Sequence, residues 1–219
     1  MKILFIGNSF TFFFGIPKMV EELARQNGID VSQDSVIKGG RRMIENLTAG
    51  DEHHNRIKKL LETNHYDAVI LQEQSHTPIT DNSAFTFGFN EVSKWVNADR
   101  VILYSTWGYK DGHAWLSENN MTSDEMEAKL TDAYRNLANT LSAEITEVGP
   151  LFTLFKKQNP DIDIYDKDMI HPNYIGSALS ALAHYKRLFG SIPKDTSFIN
   201  LDSDTKEKML KAVDEVIKA

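Results

Sequence analysis

Five short apolar runs, set apart by helical stretches, constrain this chain more than any other feature. Residues 2–6, 31–37, 67–71, 100–105 and 144–148 each read as a strand. Buried runs of this length, parted by amphipathic segments, predict a parallel sheet covered on both faces. Pro17 opens a helix that presents Met19, Val20, Leu23 and Ala24 on one face and closes at Asn27-Gly28. Residues 51–62 form a second helix with Ile57, Leu60 and Leu61 inward, and residues 90–96 a short third. Thr122 and Glu125 have capping-box spacing ahead of a stripe of Met126, Leu130, Tyr134, Leu137 and Leu141. Two more helices begin near Asn173 and Ser203. No linker, repeat or low-complexity segment divides the chain, so the expectation is one three-layer α/β domain over residues 1–219. Segments 74–89 and 108–121 read as long loops, which often shape a site.

Composition narrows the function classes. The 219 residues suffice for one substantial core. The formal net charge is −7 and no Lys/Arg cluster stands out, which argues against nucleic acid or an anionic membrane as partner. With no cysteine, disulfides and thiolate metal sites are excluded. No apolar run approaches the roughly 20 residues of a membrane span. Gly7-Asn8-Ser9 interrupts the first apolar run too early for a leader sequence, so a cytoplasmic location is expected, with a removed leader left open. Oligomeric state is not legible.

The first apolar run stops at Gly7-Asn8-Ser9, which delivers a hydroxyl to the carboxyl end of the sheet, where open α/β folds bind ligands. A serine hydroxyl needs a base within hydrogen-bond reach, and the base needs an orienting group. Asp168-Met169-Ile170-His171 supplies both three residues apart, and Pro172 biases His171 towards extended backbone. Ser9, Asp168 and His171 are therefore the candidate nucleophile, orienter and base of a hydrolase. The chain has no dinucleotide fingerprint, no P-loop and no Gly-x-Ser-x-Gly elbow.

Ile-Gly-Asn-Ser-Phe after the first strand, Gly-Gly after the second, Leu-Gln-Glu-Gln-Ser after the third and Asp-Met-Ile-His-Pro near the end resemble the SGNH/GDSL hydrolases. The likeness is closest to a branch with Gly-Asn-Ser in place of Gly-Asp-Ser, and it covers nearly the whole chain. It implies a flavodoxin-like sandwich of five parallel strands in the order 2-1-3-4-5, and a Ser-His-Asp esterase that works without metal or organic cofactor. Acyl transfer by the same nucleophile, or a glycan- or lipid-binding module that kept the fold, are the alternatives. The resemblance also implies an oxyanion hole made by the Ser9 amide, a glycine after strand two, placed at Gly40, and an asparagine side chain after strand three. That asparagine is missing. Gln74 is the expected replacement, with Gln72 second, because a glutamine amide offers the same N–H donors.

Asn8, Gln72, His76 and Trp107 are the candidate substrate-binding residues, and the expected substrate is a small-molecule, glycan or lipid ester. Phe10-Thr11-Phe12-Phe13-Phe14 cannot turn all its rings one way; some pack on the sheet and others wall a pocket or form a patch. Neither His53-His54 nor the aspartates at 161, 163, 166 and 168 have the spacing of a metal site.

Overall fold

The structure, a computed structural model, describes residues 1–218; Ala219, the end of the expected domain, lies outside them. Its strands are β1 Lys2–Gly7, β2 Ser32–Ile37, β3 Tyr66–Leu71, β4 Ala98–Ser105 and β5 Glu144–Glu147. All neighbours pair in parallel, in the order β2-β1-β3-β4-β5. Alternation along β1 decides which core each side chain joins. Ile3 and Phe5 pack on one face, Leu4 and Ile6 on the other.

The helices are α1 Ser9–Phe12, α2 Ile16–Gln26, α3 Glu52–Thr63, α4 Thr77–Thr80, α5 Asn82–Ser93, α6 Ala114–Glu118, α7 Ser123–Leu141, α8 Val148–Gln158, α9 Tyr174–Phe189 and α10 Ser203–Val216. Short 3-10 turns occupy Phe13–Gly15 and Met43–Leu47. Helices α2, α8, α9 and α10 cover the Ile3 face; α3 and α5 cover the other, and α7 reaches both cores. The Thr122 hydroxyl accepts the Glu125 amide and the Glu125 carboxylate accepts the Thr122 amide, so the capping box forms as its spacing predicts.

Three expectations change. The two long loops are largely helical: α4 and α5 lie within residues 74–93, and α6 within 108–121. The short helix expected at 90–96 instead runs Asn82–Ser93, opened by the Asp81 carboxylate accepting the Ala84 amide. Helix α8 starts directly after β5, where a strand was expected to continue to residue 148, and buries Leu151, Phe152 and Phe155.

Order 2-1-3-4-5 puts β2 and β3 on either side of β1, with the connection out of β1 on one face of the sheet and the connection out of β2 on the other. The carboxyl ends of β1 and β3 thus border the crevice where open sheets bind ligands.

Candidate active site

Ser9 follows β1 as the first residue of α1. Asn8 caps that helix, its Oδ1 accepting the Phe10 amide at 3.2 Å, while its Nδ2 donates to the Arg41 carbonyl at 3.0 Å. Gly7 makes the tight approach possible. A Cβ there would sit 2.6 Å from Gln72 Oε1 and 2.5 Å from Thr11 Oγ1.

His171 comes from the far end of the chain. Its Nε2 lies 2.7 Å from Ser9 Oγ, and its Nδ1 lies 2.5 Å from Asp168 Oδ2. The other Asp168 oxygen accepts the amides of Ile170 and His171 at 3.0 and 2.9 Å. Met169 turns the chain between them in the left-handed region, at φ 63°. One carboxylate therefore both shapes the turn and holds the imidazole. Burial would raise the Asp168 carboxyl, but the His171 ring and these amides outweigh it and hold it below its usual range. The loop is pinned to the sheet: Trp107 Nε1 donates to the Ile170 carbonyl at 3.0 Å and the Lys110 amide to that of Met169 at 2.9 Å. The Phe13 ring stacks flat on His171 with centroids 4.2 Å apart, and Phe10 meets its edge at 5.3 Å. Of the four phenylalanines only Phe10 is core; Phe12 and Phe14 are exposed.

A cavity of about 210 Å³ opens beside Ser9 and His171, lined also by Asn8, Gly40, Gln74, Ser75, Tyr109 and Ile170. Gly40 takes φ +69°, a conformation that favours glycine and turns its backbone into this space. The Gln74 side chain is partly buried; its Nε2 donates to Ser75 Oγ at 3.1 Å and its Oε1 accepts the Thr77 hydroxyl at 2.8 Å.

Two expected substrate contacts are corrected. Gln72 is buried beneath the Ser9 turn, where Oε1 accepts the Asn8 amide and the Thr11 hydroxyl, both at 2.8 Å, and Nε2 donates to the Glu73 carbonyl. At 1 % exposure it lies outside the lining of the cavity beside Ser9 and His171. Trp107 is wholly buried between Phe10 and Phe152, with centroids 4.6 and 4.3 Å away, because the sheet end needs a large apolar filler there. Asn8 lines the cavity, with its Oδ1 engaged by the turn and its Nδ2 by the Arg41 carbonyl of the segment after β2. His76 stands behind the cavity wall, stacked on Trp115 and bonded through Nδ1 to Tyr109 Oη at 3.0 Å. Burial, then Arg42, lowers its proton affinity.

Ser75 and Glu73 are not among the residues the sequence points to; Tyr109, an aromatic after the fourth strand at the same sheet end as Ser9, lines the cavity. Ser75 Oγ and Tyr109 Oη lie 2.6 Å apart and form a polar wall opposite His171. Their signal was position alone: each follows a strand at the sheet's carboxyl end.

No family model and no curated protein matches the sequence. Solved structures do. A protein of Slackia heliotrinireducens described as a candidate SGNH hydrolase is 29% identical, with 85% of this chain and 97% of that one covered at a TM-score of 0.74. A DUF4886 family protein from Bacteroides uniformis is 18% identical over 99% and 94% of the two chains, at a TM-score of 0.79. An acetyl xylan esterase is 17% identical over 86% and 100%, at 0.63. With the strand order and the layers on both faces of the sheet, these likenesses identify the chain's architecture as an SGNH/GDSL-like fold.

Proposed function

We propose that this chain is a serine esterase, with Ser9 as nucleophile, His171 as general base and acid, and Asp168 as its orienter. The observation that carries the reading is one imidazole bridging Ser9 Oγ at 2.7 Å and Asp168 Oδ2 at 2.5 Å. With Nδ1 donating to the aspartate, Nε2 is left as the lone-pair nitrogen that takes the serine proton. Ser9 Oγ then attacks the ester carbonyl. The oxyanion meets the Ser9 and Gly40 amides and the Gln74 side-chain amide, which must turn from Ser75 to reach it. His171 gives its proton to the leaving alcohol, and water releases the acyl group by the reverse path. Every step uses side chains or amides of this chain.

The small cavity supports a short acyl group such as acetyl. The likeness to an acetyl xylan esterase supports a carbohydrate as the alcohol. Among the described residues no helix is long and apolar enough to cross a membrane.

Ser9→Ala should lower p-nitrophenyl acetate turnover by about 10⁴-fold or more and abolish labelling by a fluorophosphonate. Undiminished turnover in that variant would refute the assignment.

A further inference from the structure

The loops that carry Gly40 and Gln74 follow β2 and β3, which are separated in the sheet by β1. Donors on two such loops converge on one atom only if something ties the loops together. A single carboxylate does so. The Glu73 side chain is wholly buried, and its Oε1 accepts the Met43 amide from the β2 loop at 2.9 Å and the Gln74 amide at 2.6 Å. Its own amide donates to Tyr134 Oη on α7 at 3.2 Å. Its neighbour Gln72 accepts the Asn8 amide from the nucleophile turn. The loops after β1, β2 and β3 thus meet on two adjacent side chains. Glu73 Oε2 has no protein hydrogen-bond partner, which is costly for a buried acceptor.

We propose that Glu73 is a positioning residue for ester hydrolysis, its carboxylate locking the Gly40 and Gln74 loops together so that their donors converge on the oxyanion. This rests on the esterase reading, in which attack by Ser9 forms the oxyanion in the cleft. Two amides donating to a carboxylate make charge-assisted bonds, stronger than those to a neutral carbonyl. Ionised Glu73 therefore grips both loops firmly, and protonated Glu73 holds them loosely. The switch falls in an accessible range. Burial pushes Glu73 up to about 7, against the opposing pull of the Gln74 and Met43 amides and of Arg42. The charged or titratable groups that face it are Arg42 and Glu45 from the segment after β2, and Tyr134 from α7. Arg42 is itself paired with Asp81 at 2.6 Å.

The test compares Glu73→Gln and Glu73→Asp with the wild-type chain on p-nitrophenyl acetate. The kcat of Glu73→Gln relative to wild type should fall from near one at about pH 5.5 to about a tenth at about pH 8.5, with KM unchanged. The ratio cancels every titration the two proteins share, so a flat ratio overturns the proposal. Glu73→Asp keeps the charge but withdraws it from Met43, and should lose kcat at both ends; wild-type kcat in that variant also overturns it. If Glu73→Gln does not fold, infrared spectroscopy of the wild type reads the same group. A buried protonated carboxyl band should vanish as pH rises through about 7, in step with a gain in kcat; its absence overturns the proposal. A wild-type chain that neither turns over ester nor reacts with fluorophosphonate would instead fell the esterase reading, and this inference with it.

Discussion

Two loops bring polar side chains to one cleft and are built in opposite ways. The Asp168–His171 loop is assembled locally: the carboxylate's partners are the amides two and three residues ahead and the ring three residues ahead. The β3 loop is assembled at long range. Glu73 accepts an amide 30 residues away and Gln72 one 64 residues away. A local device keeps its geometry wherever the fold puts it. A long-range device gives similar neighbouring side chains different tasks, because each task is set by what packs against it. Gln72 and Gln74 are the same residue two positions apart, yet one is spent beneath the Ser9 turn and the other lines the cavity.

The largest expected effect tests the local loop. Asp168→Asn retains an oxygen to accept the Ile170 and His171 amides, so the turn should survive with Tm little changed. It loses the charge that steadies the imidazolium, and kcat should drop by about 10³–10⁴-fold. Steady-state kinetics beside a melting curve checks this; a drop below about tenfold would break the view of the loop as a self-contained acid–base device.

The two loops should also answer pH with opposite sign. Asp168 is held below its usual range, so its contribution to stability is full above its unfolded value and is lost as pH falls through the folded one. Glu73 is pushed up to about 7 from an ordinary 4.5. The unfolded chain releases that proton first, so stability declines as pH rises between these values, by on the order of 3 kcal/mol. Urea unfolding across this window should show the decline in wild type and its loss in Glu73→Gln. The same ionisation that weakens the fold would tighten the loops, a trade between stability and activity.

The glutamine pair sharpens the comparison within one loop. Gln74→Ala should cost about a hundredfold in kcat and little stability. Gln72→Ala should do the reverse, stranding the Asn8 amide and Thr11 hydroxyl at a cost of about 2 kcal/mol in urea unfolding. Equal profiles for the two variants would erase the distinction. The smallest effect is expected at Phe13→Leu, which removes the ring stacked on His171 and should lower kcat by several-fold, about 1 kcal/mol.

Legibility followed the range of the interactions. The Thr122–Glu125 capping box and the Met126, Leu130 and Tyr134 stripe depend on neighbours within one or two turns, and α7 forms where they place it. The turn at Ser9 and the Asp168–His171 spacing are legible for the same reason. Helix α5 was harder to read because its apolar residues Phe85, Phe89 and Val92 begin within a segment that looks like a loop until Asp81 is seen to cap it. Trp107 and Gln72 look like ligand-binding residues in a string of letters. Only the packing of Phe10 and Phe152, and the approach of Asn8 and Thr11, assign them to the interior.

The amino-acid sequence by itself determined the parallel sheet, its helical layers and the chemical types at both ends of the Ser9–His171 pair. Periodicity and short-range capping act before the chain is folded. The tertiary structure alone decided that His171 reaches Ser9 across 162 residues, that Gln72 is structural, and that Glu73 stands buried between two loops. Those outcomes depend on which distant groups remove water from a side chain and which donors replace it. Residue order does not encode that until the sheet has closed around them.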